Sequence, residues 1–221
     1  MVPNLPESSS LNFRPLALLT GASSELGVEL AAQLVASGHD LILVGDDAEA
    51  LMLTAQALRD LGGCPMIETI EADLALPGEA QRVYQLAADV GYVEVLVINP
   101  GERLVTRSRP RAGERSRLQL QVTSPVVLAS LFGTDMAWRG RGKILFSVES
   151  TPHASASVMT AAGAARALTL AFSAELQREL EDSGVTVSVV QPPSTDELTA
   201  AAKAAGFEAL FREDSSSLAL Q

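Results

Sequence analysis

Six short apolar runs, separated by stretches with helical spacing, constrain this chain more than any other feature. The runs are RPLALLTG (14–21), DLILVG (40–45), PMIETIEADL (65–74), VEVLVINPG (93–101), GKILFSVES (142–150) and VTVSVVQPP (185–193). Most are apolar at consecutive positions, so both faces of each strand need cover. The intervening stretches supply it. In SSELGVELAAQLVASG the residues Leu26, Leu30, Ala31, Leu34 and Val35 fall at helical spacing, and Gly38 closes the helix. AEALMLTAQALRDLGG ends at Gly62-Gly63, and EAQRVYQLAADV makes a third helix. RSRLQLQVTSPVVLASLFGTDMAW (115–138) and SVMTAAGAARALTLAFSAELQREL (157–180) are longer helices. Pro125 is expected to kink the first of these two or to lie near its entry.

Strand and helix in alternation predict an α/β fold: a doubly wound parallel sheet of the Rossmann type, three layers α/β/α, about six strands, wound by right-handed crossovers. One domain is expected over 14–211, ending in the weak helix TDELTAAAKAAGFEALF, with a loose N-terminal tail at 1–13 and a C-terminal tail at 212–221. A chain of 221 residues, 47% of them hydrophobic, buries a core without covalent staples. Its single cysteine, Cys64, can form no intrachain disulfide, which fits a reducing compartment. The net charge of −11 repels nucleic acid and anionic membranes. MVPNLPESSSLNF lacks the basic start of a signal peptide, and no apolar run approaches the roughly 20 residues of a membrane span. A cytoplasmic setting is expected. His39, His153 and Cys64 offer no metal-ligand spacing, so no metal is expected. No GxSxG elbow is present.

The stretch TGASSELG (20–27) joins the first strand to the first helix. A strand, a glycine turn and a helix N-terminus together form a phosphate cradle, because glycine admits the ligand to the backbone and the first helical amides point at it. Four motifs in order make the chain resemble the short-chain dehydrogenase/reductase family from about Leu16 to Pro193. TGASSELG matches the family's TGxxxGxG at Thr20, Gly21 and Gly27, with Ser23, Ser24 and Leu26 between them. Ala72-Asp73-Leu74 matches the stretch whose aspartate holds the adenine, and INPG matches NNAG at Asn99 and Gly101. GVTVSVVQPP (184–193) matches the strand before the family's PG, with Pro193 in place of the glycine.

The departures bear on function. The resemblance implies a Tyr-x-x-x-Lys pair on the long helix after the fifth strand, the tyrosine moving the proton and the lysine lowering its pKa from about 10. Aligned on AFSAEL (171–176), those positions hold Val158 and Ala162; a slip of one residue gives Met159 and Gly163. The chain's tyrosines are Tyr84 and Tyr92, and its lysines Lys143 and Lys203. The family's asparagine aligns with Gln121, and its serine falls at Ser147 or Ser150. No catalytic residue is therefore assigned. The chain is expected to be a divergent, non-catalytic binding or scaffold protein. The alternative is an NAD(P)-dependent oxidoreductase with relocated acid–base groups.

Glu25 stands where the loop usually has glycine. Its carboxylate about 5 Å from a pyrophosphate would cost roughly 1–3 kcal/mol; alternatively it faces solvent and favours the helix N-terminus. Asp46, after the second strand, would accept from a ribose 2′-hydroxyl and repel a 2′-phosphate. Weak binding of NAD in preference to NADP is expected, with no cofactor as the equal alternative. Only about 28 residues follow Pro193, fewer than the lid helices and seventh strand that the resemblance implies, so an open site is expected.

Two features suggest partners. Arg103, Arg107, Arg109, Arg111, Arg115 and Arg117 make a basic island, either a solvated loop or a site for an acidic ligand or partner. The helical stretch 154–172 carries no charge except Arg166 and is expected to be buried on all sides, packing against another subunit in a homodimer or homotetramer through the long helices.

Overall fold

The computed structural model describes residues 14–62, 65–100, 114–148 and 161–190. In chain order they form β1 (Leu16–Thr20), α1 (Glu25–Ala36), β2 (Asp40–Gly45), α2 (Ala48–Asp60), β3 (Ile67–Glu71), α3 (Glu79–Val90) and β4 (Val93–Ile98). Then come α4 (Glu114–Leu118), a π-helical turn (Gln119–Thr123), α5 (Ser124–Arg139), β5 (Gly142–Ser147), α6 (Ala161–Leu180), a 3₁₀ turn (Glu181–Ser183) and β6 (Val185–Val190). The tails and the helix expected at 195–211 lie outside the described residues.

The six strands form one parallel sheet in the order β3-β2-β1-β4-β5-β6. The chain reverses its direction of travel across the sheet between β1 and β4, the switch point where ligands of such sheets bind. Alternate strand residues feed two cores. Leu18, Ile42, Val44, Leu96, Ile144 and Phe146 pack with α3, α5 and α6 on one face. Ala17, Leu19, Leu41, Leu43, Val97 and Leu145 pack with α1 and α2 on the other.

Two expectations are corrected. β3 stops at Glu71, so Ala72, Asp73 and Leu74 lie in the turn beyond the sheet, although the Ala72 amide still donates to the Gly45 carbonyl at 2.8 Å. β4 stops at Ile98, so Asn99 begins the loop rather than ending the strand. Within this chain α6 buries one side, as expected of a helix whose other side would need a second subunit to cover it. Gly163, Ala167 and Ala171 are exposed, and Leu168 is 54% exposed, while Ala165, Thr169, Leu176 and Leu180 face the core.

Pro125 falls at the second position of α5, which continues from the π turn without a break. Its lack of N–H removes the helical donor for the Gln121 carbonyl four residues back, and its ring crowds that carbonyl. The backbone widens there into the π turn, with the Ser124 amide donating to the Gln119 carbonyl. The Thr169 hydroxyl, reaching from α6, donates to the Gln121 carbonyl at 3.1 Å.

Candidate functional site

The turn after β1 is held from both ends. Gly21 has φ +60, a conformation that costs glycine little. Ser24 caps α1: its Oγ accepts from the Gly27 amide at 3.0 Å and donates to the Gly21 carbonyl at 2.8 Å. Gly27 is fixed by space, since a Cβ there would come within 2.1 Å of the Gly21 carbonyl oxygen. A Cβ on Gly45, at the end of β2, would lie 3.4 Å from Ser23 Oγ, so these two segments also meet closely. Among the described residues no carbonyl takes the amides of Glu25 and Leu26. They are orphan first-turn donors directed out of the helix N-terminus, as an anion requires. Glu25 is exposed at the first position of α1, so its carboxylate lies toward solvent at the positive end of the helix.

Asn99 ties this turn to the middle of the sheet. Its backbone amide donates to Thr20 Oγ1 at 3.0 Å, and Thr20 Oγ1 donates to its carbonyl at 3.0 Å. Its Nδ2 donates to Ser24 Oγ at 3.0 Å and to the Gly21 carbonyl at 3.3 Å. Its Oδ1 accepts from Ser147 Oγ, at the end of β5, at 3.3 Å. One chain of polar contacts thus runs from the N-terminus of α1 across β1 and β4 to β5. All the backbone positions it serves are buried or half-buried, where an unmade bond costs about 1–3 kcal/mol.

At the carboxyl end of β2, Asp46 is exposed and Asp47 caps α2 by accepting from the Ala50 amide at 3.0 Å. Asp73 accepts from the Ala75 amide at 3.0 Å, and the Leu74 carbonyl accepts from Ser124 Oγ at 2.7 Å. Thr20, Gly21, Ser23, Ser24, Leu26, Gly27, Asp46, Asp73, Leu74 and Asn99 therefore all lie along the carboxyl edge of β1 to β4 or in the turns that leave it. Gly101 lies outside the described residues.

Next to this edge, between the π turn and α6, is a cleft of about 520 Å³ open to solvent. Its walls include the apolar residues Ile98, Pro125, Phe146, Val148 and Ala165. Gln121, Ser147, Arg166 and Thr169 add polar atoms. Of the two serines that could match the family's, Ser147 lines the cleft and Ser150 lies outside the described residues. The sequence did not single out Thr169. Its signal was indirect, a proline four residues after Gln121 that must orphan a carbonyl.

The described tyrosines and lysine lie elsewhere. Tyr84, on α3, donates from its hydroxyl to Asp135 Oδ2 at 2.7 Å, and that bond holds the phenol above its usual pKa. Tyr92 precedes β4, at the edge of the sheet opposite Asn99, with the Arg139 guanidinium 5.1 Å from its ring centroid. Lys143 enters β5 four residues before Ser147, about 13 Å away along an extended strand, and burial lowers its pKa. Residue 162 lies in the first turn of α6; Val158, Met159, His153 and Lys203 are outside the described residues. Of the basic island only Arg115 and Arg117 are described, both exposed on α4. Among the described residues no cluster of His, Cys, Asp and Glu could hold a metal, and no helix is long and apolar enough to cross a membrane.

Comparison with known proteins agrees with this architecture. The family model described as short chain dehydrogenase matches residues 15–207. Dehydrogenase/reductase SDR family member 7B of Mus musculus is 29% identical over 185 residues, covering 80% of this chain and 56% of that protein. The chain therefore spans little more than half the length of that relative. 1-deoxy-11-beta-hydroxypentalenate dehydrogenase of Streptomyces exfoliatus is 30% identical over 213 residues, covering 90% of this chain and 75% of that protein. Among solved structures, a bulky-bulky ketone specific alcohol dehydrogenase from Comamonas testosteroni superposes with a TM-score of 0.74 at 28% identity, covering 88% of this chain and 83% of that chain. A short-chain dehydrogenase from Sphingobium yanoikuyae in complex with NADPH gives 0.75 at 28% identity, covering 88% and 85%.

Proposed function

The chain belongs to the short-chain dehydrogenase family, and we propose that it is a member that keeps a nucleotide site but has lost proton-transfer chemistry. The observation that carries this reading is the placement of the possible proton donors. Aligned on AFSAEL, the positions of the family's tyrosine and lysine hold Val158 and Ala162, or Met159 and Gly163 with a slip of one residue, and Tyr84, Tyr92 and Lys143 lie away from the cleft. A serine hydroxyl can hydrogen-bond a carbonyl but is a poor acid, and loss of the acid–base group typically costs about 10²–10⁴-fold in rate.

The nucleotide would be held by the turn of Thr20, Gly21, Ser23, Ser24, Leu26 and Gly27, with the pyrophosphate at the amides of Glu25 and Leu26. Asp73 and Leu74 would border the adenine, and Asn99 and Gly101 the sugar beyond. A bound nicotinamide would supply or accept a hydride. Asp46 supports NAD over NADP, because its carboxylate repels a 2′-phosphate; the relative from Sphingobium yanoikuyae, by contrast, is described with NADPH. Thermal unfolding with NAD, NADH, NADP and NADPH tests the site. Ligand at a hundred times its Kd adds about 2.7 kcal/mol, a rise in Tm of roughly 5–10 °C. A rise with NAD or NADH and no turnover of small alcohols or ketones is expected. Turnover would overturn the non-catalytic reading, and no rise with any of the four would overturn the nucleotide site.

One observation favours the second reading, an active oxidoreductase. Ser147 and Gln121 both line the cleft, so two polar groups remain to orient a carbonyl. A screen that finds nucleotide-dependent turnover sensitive to Ser147→Ala would establish it. The exposed side of α6, with Leu168 at its middle, supports a homodimer through the long helices. A concentration-independent monomer mass in sedimentation would remove that proposal. The setting that fits the acidic, single-cysteine chain is cytoplasmic.

A further inference from the structure

We propose that Ser147 is a positioning residue for the nucleotide turn: acting through Asn99 and Ser24, it orients the loop at 20–27. Its functional meaning rests on the nucleotide site proposed above. Three adjacent strands bring the residues together at their carboxyl ends. Ser147 ends β5, Asn99 follows β4, and Gly21 and Ser24 follow β1.

The groups at the far end dictate the direction of every hydrogen bond. The Gly27 amide can only donate, and it donates to Ser24 Oγ at 3.0 Å. The Gly21 carbonyl can only accept. It takes the Ser24 hydroxyl at 2.8 Å and Asn99 Nδ2 at 3.3 Å. Nδ2 also donates to Ser24 Oγ at 3.0 Å, which completes the one donor and two lone pairs of that hydroxyl. The Asn99 side chain therefore has one orientation, with nitrogen toward the turn and Oδ1 toward β5. Oδ1 can only accept, so the single hydrogen of Ser147 points to it across 3.3 Å.

Two consequences follow for Ser147. Its hydrogen is committed, so toward the cleft it offers lone pairs, and a ligand carbonyl there would have to take that hydrogen from Asn99. It also acts on the Asn99 side chain alone, because Thr20 Oγ1 already holds the Asn99 backbone at both its amide and its carbonyl. Asn99 and Ser147 are each 3% exposed, so loss of the hydroxyl leaves Oδ1 unserved in a buried place. The side chain is then free to turn, and with it go the donors that hold Ser24 against Gly21. Ser24 caps α1 beside the amides of Glu25 and Leu26, where the pyrophosphate would sit.

The test reads the turn and its ligand separately, in the full chain. The first readout is the NMR shift of the Gly27 amide proton without nucleotide; the second is calorimetric titration with ADP, which carries the pyrophosphate and no nicotinamide. In Ser147→Ala the Gly27 proton should move upfield, as a weaker bond to Ser24 requires, and ADP should bind roughly three- to tenfold more weakly, the worth of one hydrogen bond. General loss of stability moves neither readout while the chain stays folded. Tyr84→Phe, which removes a hydrogen bond to Asp135 elsewhere in the molecule, is the control and should leave both unchanged. Ser147→Thr keeps the hydroxyl and should keep both at wild-type values. In an Asn99→Ala background, adding Ser147→Ala should shift Gly27 no further, because the effect passes through Asn99; if that background does not fold, Ser147→Thr decides. An unmoved Gly27 proton in Ser147→Ala would overturn the proposal, as a serine that serves only the cleft predicts. A moved proton with unchanged ADP affinity would overturn it too, as would a further shift in the double variant. A wild type that binds no ADP removes the nucleotide site, and the Gly27 shift then decides by itself whether Ser147 holds the turn.

Discussion

The half of the molecule built on β1, β2 and β3 differs from the half built on β4, β5 and β6 in how its site is made. In the first half the site is backbone: a glycine turn, a capped helix end and amides with no carbonyl to take them. The same turn packs α1 against β1, and Gly27 has no room for a Cβ. Selection for the fold therefore preserves it whether or not a ligand binds. In the second half the cleft wall is made of side chains, and Ile98, Phe146 and Val148 belong to the core as well.

The largest expected effect breaks the first half. Gly27→Ala drives a methyl into the Gly21 carbonyl and should cost about 3 kcal/mol, a fall in Tm of roughly 6–12 °C, with loss of any nucleotide-induced stabilisation. If differential scanning calorimetry shows no loss, the turn is not a packing element and the contrast fails. Thr169→Val probes the second half. It keeps the shape of the side chain but strips the donor from the Gln121 carbonyl, and should cost about 2 kcal/mol in chemical denaturation. An unchanged midpoint would mean that another donor serves this carbonyl.

Glu25→Gly sharpens the contrast without touching packing, because Glu25 is exposed. Removing the carboxylate should tighten NAD binding roughly tenfold, about 1.4 kcal/mol. A weaker or equal Kd would show that Glu25 does not oppose the pyrophosphate. The smallest effect lies at the other end of the sheet. His39 is buried, its Nδ1 is 3.2 Å from the Leu34 carbonyl, and burial lowers its pKa below 6.5. Lys143 and Arg14 push it the same way, and Glu94 opposes them. Its contribution is complete above the unfolded value of 6.5 and is lost as pH falls below that toward the folded value. Stability should drop from pH 7 to pH 5, with a shallower slope in His39→Gln; parallel slopes would exonerate the histidine.

Where the sequence misled, the reason was that burial and pairing are different things. Ala72 and Leu74 are apolar and buried, so they extend the pattern of β3, yet they are covered by neighbours beyond the sheet. Arg166 was visible as the lone charge of the stretch 154–172; nothing in the sequence put it on the wall of a cleft.

The sequence by itself determined the alternation of strands and helices, the glycine turn and the absence of a tyrosine–lysine pair, because each is a matter of local period or residue identity. Tertiary structure alone decided which polar atoms meet. Asn99 reaches Ser24 across 75 residues, Ser147 reaches Asn99 across 48, and Thr169 reaches the Gln121 carbonyl across 48. Such bonds form only within about 3 Å. That distance depends on strand register and helix placement together, and no pattern along the chain encodes it.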